Sequence, residues 1–460
     1  MADNRRIIVG NYRLEGNTYI MEGFDTLPAF SSFLPGLAGI KGIPIWVYYT
    51  NRGQGINSFG IHNKNHAIME FYPANTAYEN TAIKGFRTFI KCNGQYFEPF
   101  FTLDQAAERN LYIRRNSFEI EEVNNRHGLK LRIKYTVLPE ESIGALVRKV
   151  TIENLSSEEK QIELIDGLPK IIPYGITNSA FKEMSNLLKS WTEIKNMDQN
   201  APYYTTRSSS DDSSEVSEIE GGYFYLTIQE QTLLPVIYDP EVIFDYDTSL
   251  INPICFMKEP IIKLMNQEQC YYNKVPCAFT PQAFKLTAEQ VHQFHTLIGF
   301  AGSPEQMNEK LEVFCEKDYF NRKEIRAEEI VDQLTKDVKT QTSMPVFDQY
   351  IEQCYLDNFL RGGYPYVFNK KSNRAVVHLF SRKHGDPERD YNFFSIAGEY
   401  YSQGNGNFRD VNQNRRNDVF FHKDIGDFNI KTLFNLIQID GYNPLEDRPS
   451  TFSIEPSKKE

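Results

Sequence analysis

The sequence lacks long apolar runs and an excess of positive charge. Its 460 residues carry a formal net charge of −11. That charge disfavours nucleic acid and anionic membrane surfaces as partners, because phosphate-rich surfaces select basic proteins. No apolar stretch has the length of a signal peptide or of a membrane span. We therefore expect neither a nucleic-acid partner nor a membrane partner.

Paired cysteine motifs are also missing. The six cysteines, at positions 92, 255, 270, 277, 315 and 354, include no C-x-x-C pair. This favours free thiols in a reducing compartment, so the expected location is the cytoplasm. Tryptophan is scarce, with 2 residues against 33 Phe and 27 Tyr. Tyrosine joins an apolar ring to a polar tip, which suits amphipathic sheets, including those that face sugars.

Histidines are few, and only two pairs have the spacing of metal ligands. These pairs are His62/His66 and His292/His295. The second pair falls in a predicted strand, where residues i and i+3 point to opposite faces. No nearby cysteine or carboxylate set completes a tetrahedral site at either pair. We therefore expect no metal site and no bound cofactor.

Residues 1–302 show the pattern of an antiparallel β-sandwich domain. In 129–139, apolar residues alternate with basic ones, as in a half-buried strand. The segment 145–165 predicts a hairpin, with one strand that ends at Ile152, a polar turn, and a return through Ile162. Many short strands with recurrent turn signals predict a large sandwich.

The pattern becomes helical after the sandwich. Ser303 has the position of an N-cap, with Pro304 at N1 and Gln306 at N3, which is the capping-box pattern. A helical linker is predicted over 303–344. Further helices are predicted over 345–460.

The first helix of that last region has clear limits. Pro345 opens it and the pair Gly362-Gly363 stops it. Its predicted apolar stripe consists of Phe347, Ile351, Cys354 and Asn358.

Residues 404–418 read GNGNFRDVNQNRRND, with five asparagines, one glutamine, three arginines and two aspartates. Arginine and carboxylate groups bind vicinal hydroxyls bidentately. A buried polar group left unpaired costs about 1–3 kcal/mol, so such a cluster discriminates between sugars. Gly404 and Gly406 allow the backbone to approach a sugar ring or to adopt positive φ. The composition therefore suits recognition of a pyranose.

This segment resembles the cellobiose-phosphorylase-like inverting glycoside phosphorylases. These comprise glycoside hydrolase family 94 and larger relatives such as family 149, the β-1,3-glucan phosphorylases. Their signature G-F-R-D-x-N-Q-D has its counterpart in residues 407–414, N-F-R-D-V-N-Q-N. Segments 34–60 and 138–175 resemble the family's strands in outline. The insertion-like segment 372–400 favours the larger relatives that act on β-glucans.

The resemblance implies a fold and a reaction. The fold is a galactose-mutarotase-like super-sandwich, a helical linker, and the first helices of an incomplete (α/α)6 toroid, so that 345–460 is the start of a truncated catalytic domain. The reaction is phosphorolysis of β-glucosidic linkages in β-glucans or cello-oligosaccharides, with inversion and release of α-glucose 1-phosphate. Inorganic phosphate is the co-substrate. The general-acid Asp is expected beyond residue 460, so the isolated chain is expected to be inactive.

The resemblance also implies that residues of the signature bind the donor sugar. The candidate substrate-binding residues are Arg409, Asp410, Asn412, Gln413, Arg415, Arg416 and Asp418. The family's last Asp is Asn414 here, which removes a charge-assisted acceptor, and Asp418 is its candidate substitute. A second interpretation stays open, in which Arg409 and Asp410 form an internal salt bridge that joins a loop to a helix.

Two polar segments have a structural and a functional interpretation. The acidic stretch 207–222 is interpreted as a solvated loop, with a calcium site as the alternative. For 381–390 an exposed charged turn is favoured, and the alternative is that Arg382, Lys383 and His384 attract phosphate. For the whole chain the alternative is a non-catalytic carbohydrate-binding or dimerisation module. The resemblance leaves a homodimer open.

Overall fold

The computed structural model describes residues 12–101, 107–183, 186–207, 219–368, 374–382 and 394–451. Its strands are β1 (Tyr12–Glu15), β2 (Thr18–Glu22), β3 (Ser31–Leu34), β4 (Trp46–Thr50), β5 (Ile56–Gly60), β6 (Arg87–Cys92), β7 (Gln95–Phe97), β8 (Ala107–Ile113), β9 (Phe118–Asn124), β10 (Leu129–Val137), β11 (Gly144–Asn154), β12 (Lys160–Leu168), β13 (Thr192–Lys195), β14 (Tyr203–Thr206), β15 (Gly222–Gln229), β16 (Thr232–Leu233), β17 (Ala278–Leu286), β18 (Val291–Ala301), β19 (Tyr364–Phe368), β20 (Ala375–Leu379), β21 (Gly406–Asn407) and β22 (Glu446–Asp447). Its helices are α1 (Ala74–Lys84), α2 (Asn178–Glu183), α3 (Leu187–Trp191), α4 (Glu241–Phe244), α5 (Ile254–Lys258), α6 (Ile261–Met265), α7 (Pro304–Phe314), α8 (Tyr319–Thr335), α9 (Pro345–Gly362), α10 (Phe408–Arg415), α11 (Asp418–Phe421) and α12 (Phe428–Asn435).

Two large antiparallel sheets contain most of the strands up to β18. The larger has the order β1-β2-β8-β9-β10-β11-β18-β15-β14-β13, with β16 beside β15, and the smaller has the order β17-β12-β6-β7. One buried cluster joins them, with Ile133 and Val150 from the larger sheet and Ile90 and Leu164 from the smaller. The prediction of a large antiparallel β region followed by helices is confirmed. The mutarotase-like sandwich, the toroid and the domain boundaries stay predictions.

The predicted strand at 129–139 is β10, which alternates buried and more exposed residues along its length. The predicted hairpin is wrong. β11 pairs with β10 and β18 in the larger sheet, whereas β12 pairs with β17 and β6 in the smaller. The turn between Ile152 and Ile162 therefore crosses from one sheet to the other, and both side chains lie in the shared core. Two amphipathic strands have the same alternating sequence pattern whether they are hydrogen-bonded neighbours in one sheet or lie in two sheets packed face to face.

The cap of α7 is confirmed. The Ser303 hydroxyl accepts a hydrogen bond from the backbone N–H of Gln306 at 3.2 Å. The Gln306 side chain accepts from the backbone N–H of Gly302 at 2.7 Å. In a capping box the N3 side chain accepts from the backbone N–H of the N-cap residue. Here it accepts from Gly302, the residue before the N-cap.

The limits predicted for α9 are confirmed, but its predicted apolar stripe is wrong. The helix begins at Pro345 and ends at Gly362, and Gly363 follows with φ +89°. The buried face consists of Glu352, Leu356, Phe359, Leu360 and Gly362. Phe347 and Asn358 of the predicted stripe are exposed. The helix has apolar residues on more than one face, so the sequence did not identify which face packs.

All six cysteines are free thiols. Within the described ranges, no helix combines the length and apolar character that crossing a bilayer requires. Lys383 and His384 lie outside the described residues, as does most of the acidic stretch 207–222.

Candidate functional site: the polar face of α10 and the cavity at Asp418

Helix α10 holds most of the predicted site residues, and both of its ends are anchored. Asn407 is its N-cap, and its side-chain oxygen accepts from the backbone N–H of Arg409 at 3.2 Å. Phe408 and Val411 are buried together with Leu433 of α12. Just before the helix, β21 pairs with β22. Packing on one side therefore orients the opposite, polar side of α10 outward.

The two glycines before α10 have a packing role. Neither Gly404 nor Gly406 has a positive φ. A Cβ on Gly404 would lie 2.2 Å from the carbonyl oxygen of Ser381, and one on Gly406 would lie 2.1 Å from Cγ2 of Val411. The prediction of positive φ at these glycines is wrong, whereas the alternative, a close approach of the backbone to a sugar ring, stays a prediction. The protein's own chain occupies the space that a side chain would need.

The outward face of α10 carries Arg409, Asp410 and Gln413, and Arg416 follows it. Arg409, Gln413 and Arg416 are exposed, and Asp410 and Asn412 are half-buried. The Arg409 Nε donates to Asp410 Oδ1 at 3.1 Å, with 83% of the arginine side chain exposed. The two residues are neighbours on one helix, so their pair does not join a loop to a helix. Exposed pairs of this kind contribute only about 0–1 kcal/mol, so the geometry leaves both groups free to bind a ligand.

Arg415 lies on the buried side of α10. Its Nε donates to the carbonyl oxygen of Gly362 at 2.6 Å, and its Nη1 contacts Asp447 Oδ2 at 2.8 Å. Burial lowers the pKa of Arg415, and the nearby Asp447 and Asp418 carboxylates oppose that shift. Both bonds join α10 to the protein itself, which places this predicted site residue in the structural support of the helix.

Asp418 lines a small cavity of about 60 Å³. This volume is enough for about two water molecules at ~30 Å³ each, or for a hydroxyl group, and too small for a sugar ring. The lining residues combine amide, phenol and carboxyl groups with aromatic rings: Tyr355, Asn358, Phe359, Gly363, Pro365, Asn414, Asn417, Asp418 and Phe421. The structure thus brings Asn414 and its candidate substitute Asp418 together in one cavity.

Burial raises the pKa of Asp418 to about 7, against the opposing effects of the Asn429 hydrogen bond and of Arg415. Asn429 Nδ2 donates to Asp418 Oδ2 at 2.8 Å. His378 Nε2 lies 3.5 Å from the same oxygen, and burial holds the pKa of His378 well below its ordinary value. The burial of both groups favours their neutral forms, and a protonated Asp418 is able to donate a hydrogen bond into the cavity.

Sequence reasoning missed the residues that support this cavity. Tyr355 and Asn358 line it, and the Tyr355 hydroxyl is 3.0 Å from His422 Nε2. His378 and Asn429 contact Asp418 from β20 and α12. The spacing of Tyr355 and Asn358, three residues apart on one helix, was the available signal. The contacts of His378 and Asn429 depend on the tertiary fold.

A larger cleft of about 600 Å³ lies between α8, the strands β19 and β20, and the loops that contain Lys41 and Glu140. Its volume falls in the range of about 300–1,000 Å³ that small-molecule sites occupy. The lining includes four aromatic rings and four charged groups: Tyr364, Tyr366, Phe380, Tyr401, Lys41, Glu140, Arg326 and Lys336. Sequence reasoning did not predict this cleft, because its walls come from distant segments. Among the described residues, no group of three His, Cys, Asp or Glu side chains has a metal-binding arrangement.

No protein-family model matches the chain, and no curated protein matches it. Among solved structures, a bacterial glucoamylase complexed with acarbose matches at 12% identity and a TM-score of 0.43, over 92% of this chain and 53% of that one. A polysaccharide lyase matches at 10% identity and a TM-score of 0.30, over 59% of this chain and 34% of that one.

The structure named "Putative kojibiose phosphorylase from human microbiome" matches at 8% identity and a TM-score of 0.25, over 78% of this chain and 36% of that one. The chain therefore spans about half the length of the glucoamylase chain, 53%. All three TM-scores lie below 0.5, and likenesses at this level do not establish a shared fold.

Proposed function

We propose that this chain is part of a carbohydrate-active enzyme that phosphorolyses β-glucosidic linkages in β-glucans or cello-oligosaccharides. In this reaction a phosphate oxygen attacks the anomeric carbon as the glycosidic C–O bond breaks on the opposite face. A carboxylic acid gives its proton to the leaving oxygen, and the product is α-glucose 1-phosphate. The proposed role of this chain is to bind the donor sugar. No residue of it is assigned as the general acid.

One observation carries the proposal. The residues of the FRDVNQN segment lie on a helix whose inner side is anchored and whose outer side presents Arg409, Asp410 and Gln413. Arginine, carboxylate and amide groups are the groups that bind vicinal hydroxyls bidentately. The cavity at Asp418 follows at the C-terminal end of this face and accepts one further hydroxyl. A rigid helix positions such groups better than a loop does.

The test is saccharide binding by the purified chain. We expect laminarin-type β-1,3 or cello-type β-1,4 oligosaccharides to bind, measured by isothermal titration calorimetry. The binding is expected to weaken in an Arg409→Ala variant. A folded chain that binds neither oligosaccharide would contradict the proposal. The two oligosaccharide series also distinguish the two linkages.

The second candidate function is a dimerisation module, and exposed apolar side chains favour it. Val346 and Tyr350 of α9, Phe420 of α11 and Phe434 of α12 are each more than 60% exposed, at 65, 64, 74 and 69%. Exposed apolar patches mark protein interfaces when they are contiguous. Sedimentation equilibrium of the wild type and of a Phe420→Ser variant tests this candidate. A dimer that dissociates in the variant and binds no saccharide would favour it over the enzyme part.

A further inference from the structure

Arg382 is a buried arginine that has no counter-ion among the described residues. The residue lies three positions after the end of β20 and is 5% exposed. Its Nε and Nη2 atoms are enclosed and have no hydrogen-bond partner within the described part of the chain. The hydroxyl of the preceding Ser381, which is 1% exposed, has none either. Enclosed donors of this kind are rare in native proteins, since each one costs free energy.

The other buried arginines of the described residues differ from Arg382 in having a counter-ion. Each of them contacts a carboxylate: Arg87 with Glu98, Arg109 with Glu122, Arg148 with Asp166 and Arg415 with Asp447. Arg382 is the exception among the buried arginines that the structure describes. Burial lowers the pKa of Arg382 to about 10. The guanidinium therefore stays charged at neutral pH, although its burial without a counter-charge is costly.

The backbone at this position is fixed. The Arg382 N–H donates to the carbonyl oxygen of Leu360 at 2.9 Å, and the Phe380 N–H donates to the carbonyl oxygen of Ser402 at 2.8 Å. A Cβ on Gly404 would lie 3.0 Å from the Cα of Arg382. Two segments, the end of α9 and residues 402–404, therefore hold the residue in place, so the unpaired guanidinium does not result from a loose chain end. The Arg382 guanidinium is buried, fixed in position and without a counter-ion among the described residues. It therefore suits a ligand that supplies the missing negative charge.

We propose that Arg382 binds a phosphate-type oxyanion, with the Ser381 hydroxyl as a neighbouring donor. The Nε/Nη2 edge of arginine binds two oxygens of a phosphate in parallel, which matches the two enclosed atoms. The source is inorganic phosphate or the phosphate group of a sugar phosphate, and both have the same chemistry. The role as a co-substrate site rests on the proposed function. Anion binding itself rests only on Arg382 and Ser381.

The first experiment compares thermal unfolding of the wild type with that of Arg382→Met. In phosphate-free buffer the variant is expected to unfold at the same or a higher temperature, because an uncompensated buried charge is removed. Added phosphate is expected to raise the midpoint of the wild type and to leave that of Arg382→Met unchanged. Arg361→Gln is the matched control, because it removes one positive charge from an exposed position nearby. Added phosphate is expected to raise the thermal midpoint of this control as it does that of the wild type.

Sodium chloride at equal ionic strength corrects for general salt effects. The proposal is overturned if phosphate shifts the wild type no more than chloride does, or shifts Arg382→Met equally. It is also overturned if Arg382→Met is strongly destabilised without phosphate, because that result assigns the guanidinium a protein partner. Arg382→Lys provides a second, independent test, because it keeps the positive charge but loses the planar pair of N–H donors that binds two oxygens. Its affinity for phosphate is expected to be at least about tenfold lower, a change of ~1.4 kcal/mol.

Two further titrations identify which phosphate compound binds. They also distinguish a failure of this proposal from a failure of the proposed function. Glucose 1-phosphate that binds at least as tightly as inorganic phosphate identifies a sugar phosphate as the ligand, and tighter inorganic phosphate identifies the free anion. Both results support the site if they depend on Arg382. All titrations are made without glucan or oligosaccharide, so a failure of glucan binding leaves the result intact. Ser381→Ala is expected to weaken binding a few-fold.

Discussion

The Arg415 guanidinium and the Gly362 carbonyl oxygen join the helix that carries the polar face to the end of the helix before it. The Nε–O distance is 2.6 Å, and Asp447 accepts from the same guanidinium at 2.8 Å. The position of Arg409 and Gln413 therefore depends on a buried contact that Arg415 makes at the C-terminal end of α10. Exposed and buried arginines alternate within eight residues of chain, since the helical period separates their faces.

Replacing Arg415 tests this support. Arg415→Met is expected to destabilise the chain by about 3 kcal/mol, because it leaves the Asp447 carboxylate, whose side chain is only 14% exposed, without its partner. The measurement is urea-induced unfolding followed by circular dichroism. Arg416→Met, at the exposed neighbouring position, is expected to change the free energy of unfolding by less than about 0.5 kcal/mol. Equal effects of the two variants would refute the assignment of Arg415 to the support of the helix.

Asp418 predicts a pH-dependent difference in stability. Its folded-state pKa of about 7 is higher than the ordinary value of about 3.9. Between these values the folded state binds more protons than the unfolded state, so the Asp418 contribution to stability falls as pH rises through this window. Asp418→Asn removes that contribution and keeps an oxygen that accepts from Asn429. The free energy of unfolding of the variant is therefore expected to increase relative to that of the wild type as pH rises from below 4 to above 7. The expected increase is on the order of 1–3 kcal/mol.

The measurement is urea unfolding of both proteins at several pH values. The exposed Asp440→Asn variant serves as the control for the change in charge. A difference between Asp418→Asn and the wild type that stays constant from acid to neutral pH would show that the folded state does not raise the pKa of Asp418.

The proposed saccharide face predicts specific losses of affinity. Arg409→Ala and Gln413→Ala are each expected to weaken oligosaccharide binding at least about tenfold, or ~1.4 kcal/mol. Their thermal midpoints are expected to stay close to that of the wild type, because both side chains are exposed. Arg322→Ala, which removes an exposed arginine from α8, is the control and is expected to bind normally. Unchanged binding by both α10 variants would place the saccharide elsewhere, with the cleft of about 600 Å³ as the next position to test.

The cap of α7 predicts a moderate effect on stability. Ser303→Ala removes the acceptor for the backbone N–H of Gln306 and is expected to cost about 1 kcal/mol. Ser303→Asp keeps an acceptor and is expected to retain most of that stability. The free energy of unfolding of both variants checks the prediction. A loss of the same size in Ser303→Asp would show that the hydroxyl acts through another contact.

Local patterns predicted those features that depend on a few consecutive residues. The Ser303 cap, the limits of α9 and the alternation of β10 are confirmed, because capping residues, proline, glycine and alternation act over one or two turns of chain. The sequence did not show which of the predicted site residues are exposed and which are buried. Arg409 is exposed and Arg415 is buried, and only the packing of Phe408 and Val411 against α12 distinguishes the two sides of α10.

The sequence by itself determined the cap of α7, the limits of α9, the alternation of β10 and which segment is rich in groups that bind hydroxyls. Only the tertiary structure decided that β11 and β12 belong to different sheets and that α9 packs through Leu356 and Phe359. It also decided that Arg382 is buried with no counter-ion among the residues that the structure describes. The physical reason is the range of the interactions. Capping and alternation are local, whereas strand pairing and burial depend on partners that lie far away along the chain.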